Sequence, residues 1–168
     1  MKRRSFLKKG VSGLVGIGLP LGSRYQTQQN EPGPIDSGTI KEFVIAGHGD
    51  LEKVKDMIAE MPNLIYCRHD WGGGDFEEAI EGAGHLGNKE IATYLIDKGA
   101  RVNLFVLTML GKTNLVKPVL EAYPNLVSAK GPHGFSLLHH AKQGGEDAEE
   151  LFEYLSEKGL EEMQFEMS

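Results

Sequence analysis

The sequence predicts an all-α fold in which about four helix–turn–helix repeats stack into an α-solenoid. The first observation is a repeated segment: EMPNL at Glu60–Leu64 returns as AYPNL at Ala122–Leu126, which places the two prolines 62 residues apart. The second is a series of glycines, because Gly49, Gly87 and Gly111 lie at steps of 38 and 24 residues, which add up to the same 62. Two independent sets of landmarks therefore agree on one repeat register.

Each repeat is predicted to contain a short helix, a glycine turn and a longer helix. In the longer helices apolar residues recur three and four positions apart, as one buried helix face requires. Two of these residues, Leu95 and Val119, are predicted to lie inside, between neighbouring repeats. A single helix pair cannot bury its apolar face, so the pairs must stack. The short helices are predicted at Ile40–Ala46, Phe76–Gly84, Leu104–Leu110 and Phe135–Gln143.

One segment resembles a known repeat family. Gly134–Ala141 (GFSLLHHA) resembles the ankyrin pattern G-x-T-P-L-H-x-A, with Ser in place of Thr and Leu in place of Pro. Gly49–Val54 and Gly87–Ala92 resemble the start of the second ankyrin helix, and Lys98–Asn103 resembles its usual ending. The resemblance covers roughly residues 40–160 and is weakest in the first repeat. It implies a protein-binding module without catalytic activity of its own.

One inter-repeat hairpin loop is predicted to be missing. Long connections occur at Ile65–Asp75 and Val127–Gly134, whereas Val102 and Gly111 are only nine residues apart, which leaves room for one short helix and no hairpin loop. We expect the two long loops to project from the same edge and to flank a notch. The short helix Leu104–Leu110 would form the floor of that notch.

Residues 1–22 are predicted to be an export signal, because a basic start precedes an apolar stretch, Gly10–Gly22, that is too short to span a bilayer. The segment Lys2–Lys8 (KRRSFLK) resembles the twin-arginine consensus. The residues that carry this resemblance are Arg3, Arg4, Phe6 and Leu7. It implies export of the folded protein to the periplasm, or membrane anchoring if the signal is not cleaved. A general secretory signal and an amphipathic tail are the alternatives.

The remaining chain is predicted to hold one domain. Residues 23–37 are polar and are predicted to be a disordered linker, residues 38–160 the ankyrin-repeat domain, and residues 161–168 a C-terminal tail. The net charge is −6, and since residues 1–22 hold five basic and no acidic side chains, the remainder carries −11. A body this acidic repels phosphate backbones, which excludes nucleic acid as a partner. We expect a monomer that binds another exported protein and has no stable membrane span in the mature chain.

Motifs typical of cofactor or metal sites are assigned to the repeats instead. Gly82–Gly87 spells G-x-G-x-x-G, but an acidic helical segment precedes it where a dinucleotide site needs a strand. Adjacent His139 and His140 point about 100° apart on a helix and do not chelate one ion together. The ankyrin resemblance implies that His139 forms a structural hydrogen bond between repeats. No metal, cofactor or catalytic residue is predicted, and a surface role is predicted for His48, His85 and His133.

The predicted binding face lies on the long loops and the short helix beside them. On the short helix Phe76–Gly84, the side chains of Glu77, Glu78 and Glu81 are predicted to form a solvated acidic strip. Trp71 is predicted either to be an interface hot spot or to pack under its own loop. The predicted partner-binding residues are Arg68, His69, Trp71, Glu78, Glu81, Lys130 and His133.

The function predicted from these observations is a non-enzymatic, periplasmic protein-binding module that recognises or supports another exported protein. The alternative is a small ligand-binding protein or hydrolase that uses a pocket near Trp71, Glu78, His85 and His133. Convergence of those side chains would favour the alternative, and a flat, open groove would favour the binding module.

Overall fold

The structure is a computed structural model that describes residues 33–167, and these residues are mostly helical. The predicted export signal and most of the predicted linker lie outside the described residues. Among the described residues no helix is both long and apolar enough to cross a bilayer. The helices are α1 (Ser37–Gly47), α2 (Leu51–Glu60), α3 (Ala79–His85), α4 (Lys89–Asp97), α5 (Leu104–Met109), α6 (Thr113–Ala122), α7 (Leu137–Gly144) and α8 (Glu149–Glu157).

The turns between paired helices depend on glycine. Gly87, between α3 and α4, has a φ of +72°, and Gly111, between α5 and α6, has a φ of +65°. Both values lie in the left-handed region that favours glycine. A Cβ atom on Gly87 would also lie 2.6 Å from the backbone oxygen of Gln143 in α7. Glycine therefore permits both the turn and the close approach of a neighbouring helix.

The short helices form one row, in which α1 packs on α3, α3 on α5 and α5 on α7. The longer helices bury one face against this row. Leu95 in α4 is 1% exposed, which confirms its predicted position inside. The prediction for Val119 is wrong, because it is 37% exposed. Val116 and Leu120 occupy the buried face of α6 instead, and the side chain of Val119 points toward solvent.

The 62-residue repeat is visible in the backbone. A 3₁₀ turn follows α2 at Pro62–Tyr66, and an equivalent turn follows α6 at Pro124–Ser128. The residues that precede these turns have nearly the same dihedral angles: Met61 has φ −130° and ψ 83°, and Tyr123 has φ −133° and ψ 73°. In each turn the proline occupies the first helical position, where the missing N–H costs nothing. The PNL segments therefore mark a real structural repeat.

The first long loop contains a β-hairpin that the sequence did not predict. Strand β1 (Arg68–Asp70) pairs antiparallel with β2 (Phe76–Glu78), and three consecutive glycines with positive φ, residues 72–74, reverse the chain between them. The prediction of a helix from Phe76 is wrong over its first three residues, because they pair with β1 and α3 begins at Ala79.

The two long loops contact each other. The backbone N–H of His133 donates to Asp75 Oδ1 at 2.8 Å, and His133 Nδ1 lies 2.7 Å from Asp75 Oδ2. The connection from α4 to α5 is short, as predicted, and the two long loops meet at one point, between Asp75 and His133. Beside that point a cleft of about 440 Å³ lies between the loops, and Leu104 and Phe105 are part of its lining, as expected for the predicted notch.

The predicted C-terminal tail packs against the second loop. Gln164 forms a bridge with Phe135, and the backbone N–H of Phe165 donates to the Gly134 oxygen at 2.8 Å. The Gln164 side-chain amide donates to the backbone oxygen of His133 at 2.7 Å. The C-terminal segment therefore holds the loop that carries His133.

Candidate metal centre

Three histidines and one glutamate converge at the junction of the two loops. They are His48 after α1, Glu77 in β2, His85 at the end of α3, and His133 in the loop before α7. Each side chain offers one ligand atom, and the four atoms lie within 4.8 Å of one another. Residues far apart in sequence thus form one cluster of metal-ligating groups.

Strand geometry directs Glu77 into this cluster. Successive side chains of a strand point to opposite faces. Glu77 is therefore fully buried against the histidines, while Glu78 lies near the guanidinium groups of Arg68 and Arg101, at 3.6 and 3.7 Å. The predicted solvated acidic strip is wrong, since Glu77, Glu78 and Glu81 are 0%, 8% and 4% exposed.

Small residues make room for the histidine rings. Because α1 packs on α3, the side chain of His48 crosses the backbone of α3 at Gly82. A Cβ atom on Gly82 would lie 2.7 Å from His48 Nδ1, so only glycine fits without a shift. The G-x-G-x-x-G segment therefore admits an imidazole at Gly82 and provides the helix turn at Gly87.

The donor atoms are closely spaced. Glu77 Oε1 lies 2.8 Å from His85 Nε2 and 3.4 Å from His48 Nε2, and the two Nε2 atoms are 3.2 Å apart. His133 Nε2 lies 3.5 Å from the other carboxylate oxygen of Glu77, Oε2. The Trp71 indole N–H donates to that same oxygen at 2.8 Å, which leaves Oε1 facing the histidines.

Hydrogen bonds fix the protonation pattern of two histidine rings. His48 Nδ1 lies 2.9 Å from the Val44 backbone oxygen, and His133 Nδ1 lies 2.7 Å from Asp75 Oδ2. Both partners can only accept, so each Nδ1 carries a hydrogen. In the neutral ring the lone pair is then on Nε2, which faces the cluster. A partner on the far ring nitrogen is the usual support of a metal-binding histidine.

The electrostatics of the cluster favour an ionised carboxylate. Burial alone would raise the pKa of Glu77, but hydrogen bonds from His48 and His85 outweigh it and lower the pKa to about 2. The same contact with Glu77 raises the pKa of His48. The centre therefore holds a charged carboxylate among imidazoles without solvent exposure of Glu77.

The other two histidines of this region stay outside the cluster. His139 Nε2 donates to the His85 backbone oxygen at 2.8 Å and links α7 to the end of α3. His140 Nδ1 donates to the Ser136 backbone oxygen at 2.8 Å, and burial lowers the pKa of His140 to about 4. Burial also lowers the pKa of His139.

The predicted partner-binding residues divide between two places. His133 belongs to the cluster, Trp71 donates to Glu77 of the cluster, and the ring of His69 lies edge-on to Trp71 at 4.5 Å between centroids. Arg68, Glu81 and Lys130 line the cleft. Glu78 lies outside the cleft lining, beside Arg101.

The carboxylate of Glu81 already has hydrogen-bond and ion-pair partners within the chain. It accepts hydrogen bonds from Asn103 Nδ2 at 2.6 Å and from the Glu78 backbone N–H at 2.7 Å, and it pairs with Arg68 at 3.3 Å. Burial raises the pKa of Glu81 and of Glu78. An acidic strip that is open to a basic partner is therefore not present at these side chains.

His48 and Glu77 are not among the predicted site residues, and the predicted surface role of His85 is wrong, because His85 is 4% exposed. One available signal was position within the repeat. His48 lies one residue before the turn glycine Gly49, and His85 lies two residues before Gly87, so each is at the end of a short helix. The ends of stacked helices lie side by side, and this placement therefore indicates that the two rings are neighbours.

Three of the four residues named for the alternative site do converge, but on Glu77 and not on Glu78. They are Trp71, His85 and His133.

The chain was compared with known proteins, and no family model, no curated protein and no solved structure matches it.

Proposed function

We propose that this protein binds one divalent transition-metal ion through His48, Glu77, His85 and His133. The observation that carries the proposal is the convergence of three imidazole nitrogens on a buried, ionised carboxylate. Buried charges in proteins are normally paired or coordinate metals. Imidazole ligands favour zinc, copper, iron and nickel over magnesium and calcium.

The spacing of the donors fits such an ion. Zinc bonds to nitrogen and oxygen of about 2.0–2.2 Å place the ligands of a tetrahedral site roughly 3.3 Å apart. The three contacts among His48, Glu77 and His85 measure 2.8, 3.2 and 3.4 Å. These three donors would need only small adjustments, and His133 Nε2, which lies within 4.8 Å of them, would move closer to become the fourth ligand.

The proposal is tested by titrating metal-free protein with Zn²⁺ in a calorimeter and measuring the bound zinc after dialysis. We expect one zinc ion per chain. Glu77→Gln, which keeps the shape of the side chain and removes its charge, should abolish or greatly weaken binding, as should His48→Ala. His69→Ala is the matched control because His69 lies in the same hairpin but outside the cluster. Equal zinc binding by all variants would refute the proposal.

A second candidate function is protein recognition by an exported, ankyrin-like module without catalytic activity. Two observations favour it: the stacked row of short helices with a 62-residue repeat, and the cleft at the position of the missing hairpin loop. The cleft combines the charged side chains of Arg68 and Lys130 with the apolar side chains of Leu104 and Phe105.

The second candidate is tested with the exposed side chain of Lys130. Immobilised protein should capture a specific partner from a periplasmic extract, and Lys130→Glu should reduce that capture without changing the melting temperature. Unchanged capture by Lys130→Glu would exclude the cleft as the binding site.

The export route is tested by replacing Arg3 and Arg4 with lysine. This change should retain the protein in the cytoplasm, since twin-arginine recognition requires guanidinium groups. Normal export of the double lysine variant would exclude the twin-arginine route.

A further inference from the structure

We propose that the bound metal keeps a coordination position for a small exogenous anion, on the side of the centre formed by His48 and His133. This inference rests on the proposed metal binding and specifies the ligand class that the same site accepts. It follows from the burial of the four ligands, from the number of donor atoms they offer, and from the charges that surround them.

The four ligands differ in burial. The side chains of Glu77 and His85 are 0% and 5% exposed, whereas those of His48 and His133 are 25% and 29% exposed. The buried half is covered further by Phe135, whose ring stacks on His85 at 5.1 Å between centroids. Solvent therefore reaches the centre from the side of His48 and His133.

The chain offers at most four donors, because Glu77 is restricted to one oxygen. Trp71 Nε1 donates to Oε2 at 2.8 Å, so Oε1 is the oxygen directed at His48 and His85. Oε1, His48 Nε2 and His85 Nε2 form one tight triangle, while His133 Nε2 lies nearest to Oε2. Four donors, His133 included, fill a tetrahedral ion but leave a position open on an ion that takes five or six ligands.

His133 differs from the other three ligands in its backbone. It is the only non-glycine among the described residues with a positive φ, +57°. It lies on a loop held by Asp75 and by the C-terminal segment, whereas the other three ligands lie in β2 or at the ends of α1 and α3. Strained backbone of this kind recurs at ligand-binding sites.

The nearby charges favour an anion over a cation. A divalent ion and its four ligands, of which Glu77 is the one carboxylate, together carry a charge of +2 − 1, or +1. An incoming anion with one negative charge brings this total to zero. The ligand class is therefore small monovalent anions that bind a metal through one atom, carboxylates included.

The test uses Co²⁺, whose visible absorption reports its coordination, and azide as the anion. Co²⁺-loaded protein should show a spectral change that saturates at one azide per cobalt, with the cobalt still bound after removal of free azide. Trp71→Phe releases Oε2 of Glu77, so the carboxylate can occupy the open position itself. We expect this variant to bind cobalt and to respond to azide only at higher concentration.

The outcomes separate this inference from the proposed function. If cobalt binds and excess azide leaves its spectrum unchanged, or if azide strips the cobalt from the protein, the open position is refuted and the metal centre stands. If cobalt fails to bind to the wild-type chain, both proposals are refuted. An azide response of Trp71→Phe equal to that of wild type would refute the assignment of Trp71 as the residue that keeps Glu77 monodentate.

Discussion

Two groups of histidines lie within one small region and differ in what their ring nitrogens contact. His48, His85 and His133 direct Nε2 at the carboxylate of Glu77. His139 and His140 instead donate to backbone oxygens, of His85 and Ser136 respectively. The first group comes from three separate parts of the chain, and the second consists of neighbours on α7.

The comparison shows that partner chemistry, more than burial, distinguishes a site from a structural contact. His85 and His140 are both buried, at 4% and 0% exposed. His85 faces an ionised carboxylate, whereas His140 faces a neutral carbonyl and burial lowers its pKa to about 4. A ring surrounded by neutral groups stays uncharged, while one beside a buried carboxylate can share a cation with it.

The largest expected effect comes from His140 in metal-free protein. Its pKa falls from 6.5 in the unfolded chain to about 4 in the folded one, so above pH 6.5 both states are neutral. As the pH falls from 6.5 to 4, the unfolded state binds the proton first, and this residue should lower the free energy of unfolding by up to about 3 kcal/mol. Denaturant unfolding across this range should give a smaller pH slope for His140→Gln. Parallel slopes would contradict the assignment.

The next effect is stabilisation by the metal. An ion that binds only the folded state adds about 2.7 kcal/mol to the free energy of unfolding at 100 times its Kd. Zinc should therefore raise the melting temperature of the wild-type chain and of His140→Gln, but not that of Glu77→Gln. A rise of equal size in Glu77→Gln would place zinc elsewhere on the protein.

A smaller effect is expected from the group behind His133. Asp75 accepts the Nδ1 hydrogen of His133, and loss of such an outer partner typically weakens metal binding about 10–100-fold. Asp75→Ala should show this loss in a zinc titration. Asp75→Asn, whose side-chain oxygen can still accept the hydrogen, should lose less. Equal affinities in wild type and Asp75→Ala would show that His133 is not a ligand.

The smallest effect is expected from His139. His139→Phe keeps an aromatic ring against Phe135, which stacks on it at 4.1 Å between centroids, and removes the hydrogen bond to the His85 oxygen. The free energy of unfolding should fall by about 1 kcal/mol. Zinc affinity should not change. A large loss of affinity would show that His139 contributes to the metal centre.

Sequence reasoning predicted the helical scaffold because its signals are local. The PNL turns, the turn glycines and the apolar spacing each reflect contacts within one repeat, and they locate the four helix pairs. The burial of Leu95 followed from the same spacing. The exposure of Val119 did not, because it depends on how α6 is rotated against its neighbours.

The candidate site could not be read in the same way. The sequence predicts a helix at Glu77, whereas in the structure β2 pairs with β1, so the side chains of Glu77 and Glu78 point to opposite faces. The candidate ligands are 29, 8 and 48 residues apart along the chain, so they form no short motif of the kind that marks a metal site in a sequence. The stacking of α1 on α3 and the contact between the two loops bring them together, and both are tertiary features.

The most direct test of the metal centre is diffraction from zinc-loaded crystals at the zinc absorption edge. We expect one anomalous peak within about 2.0–2.2 Å of His48 Nε2, His85 Nε2, His133 Nε2 and Glu77 Oε1. A peak bound by other residues, or no peak among these four side chains in crystals grown with excess zinc, would contradict it.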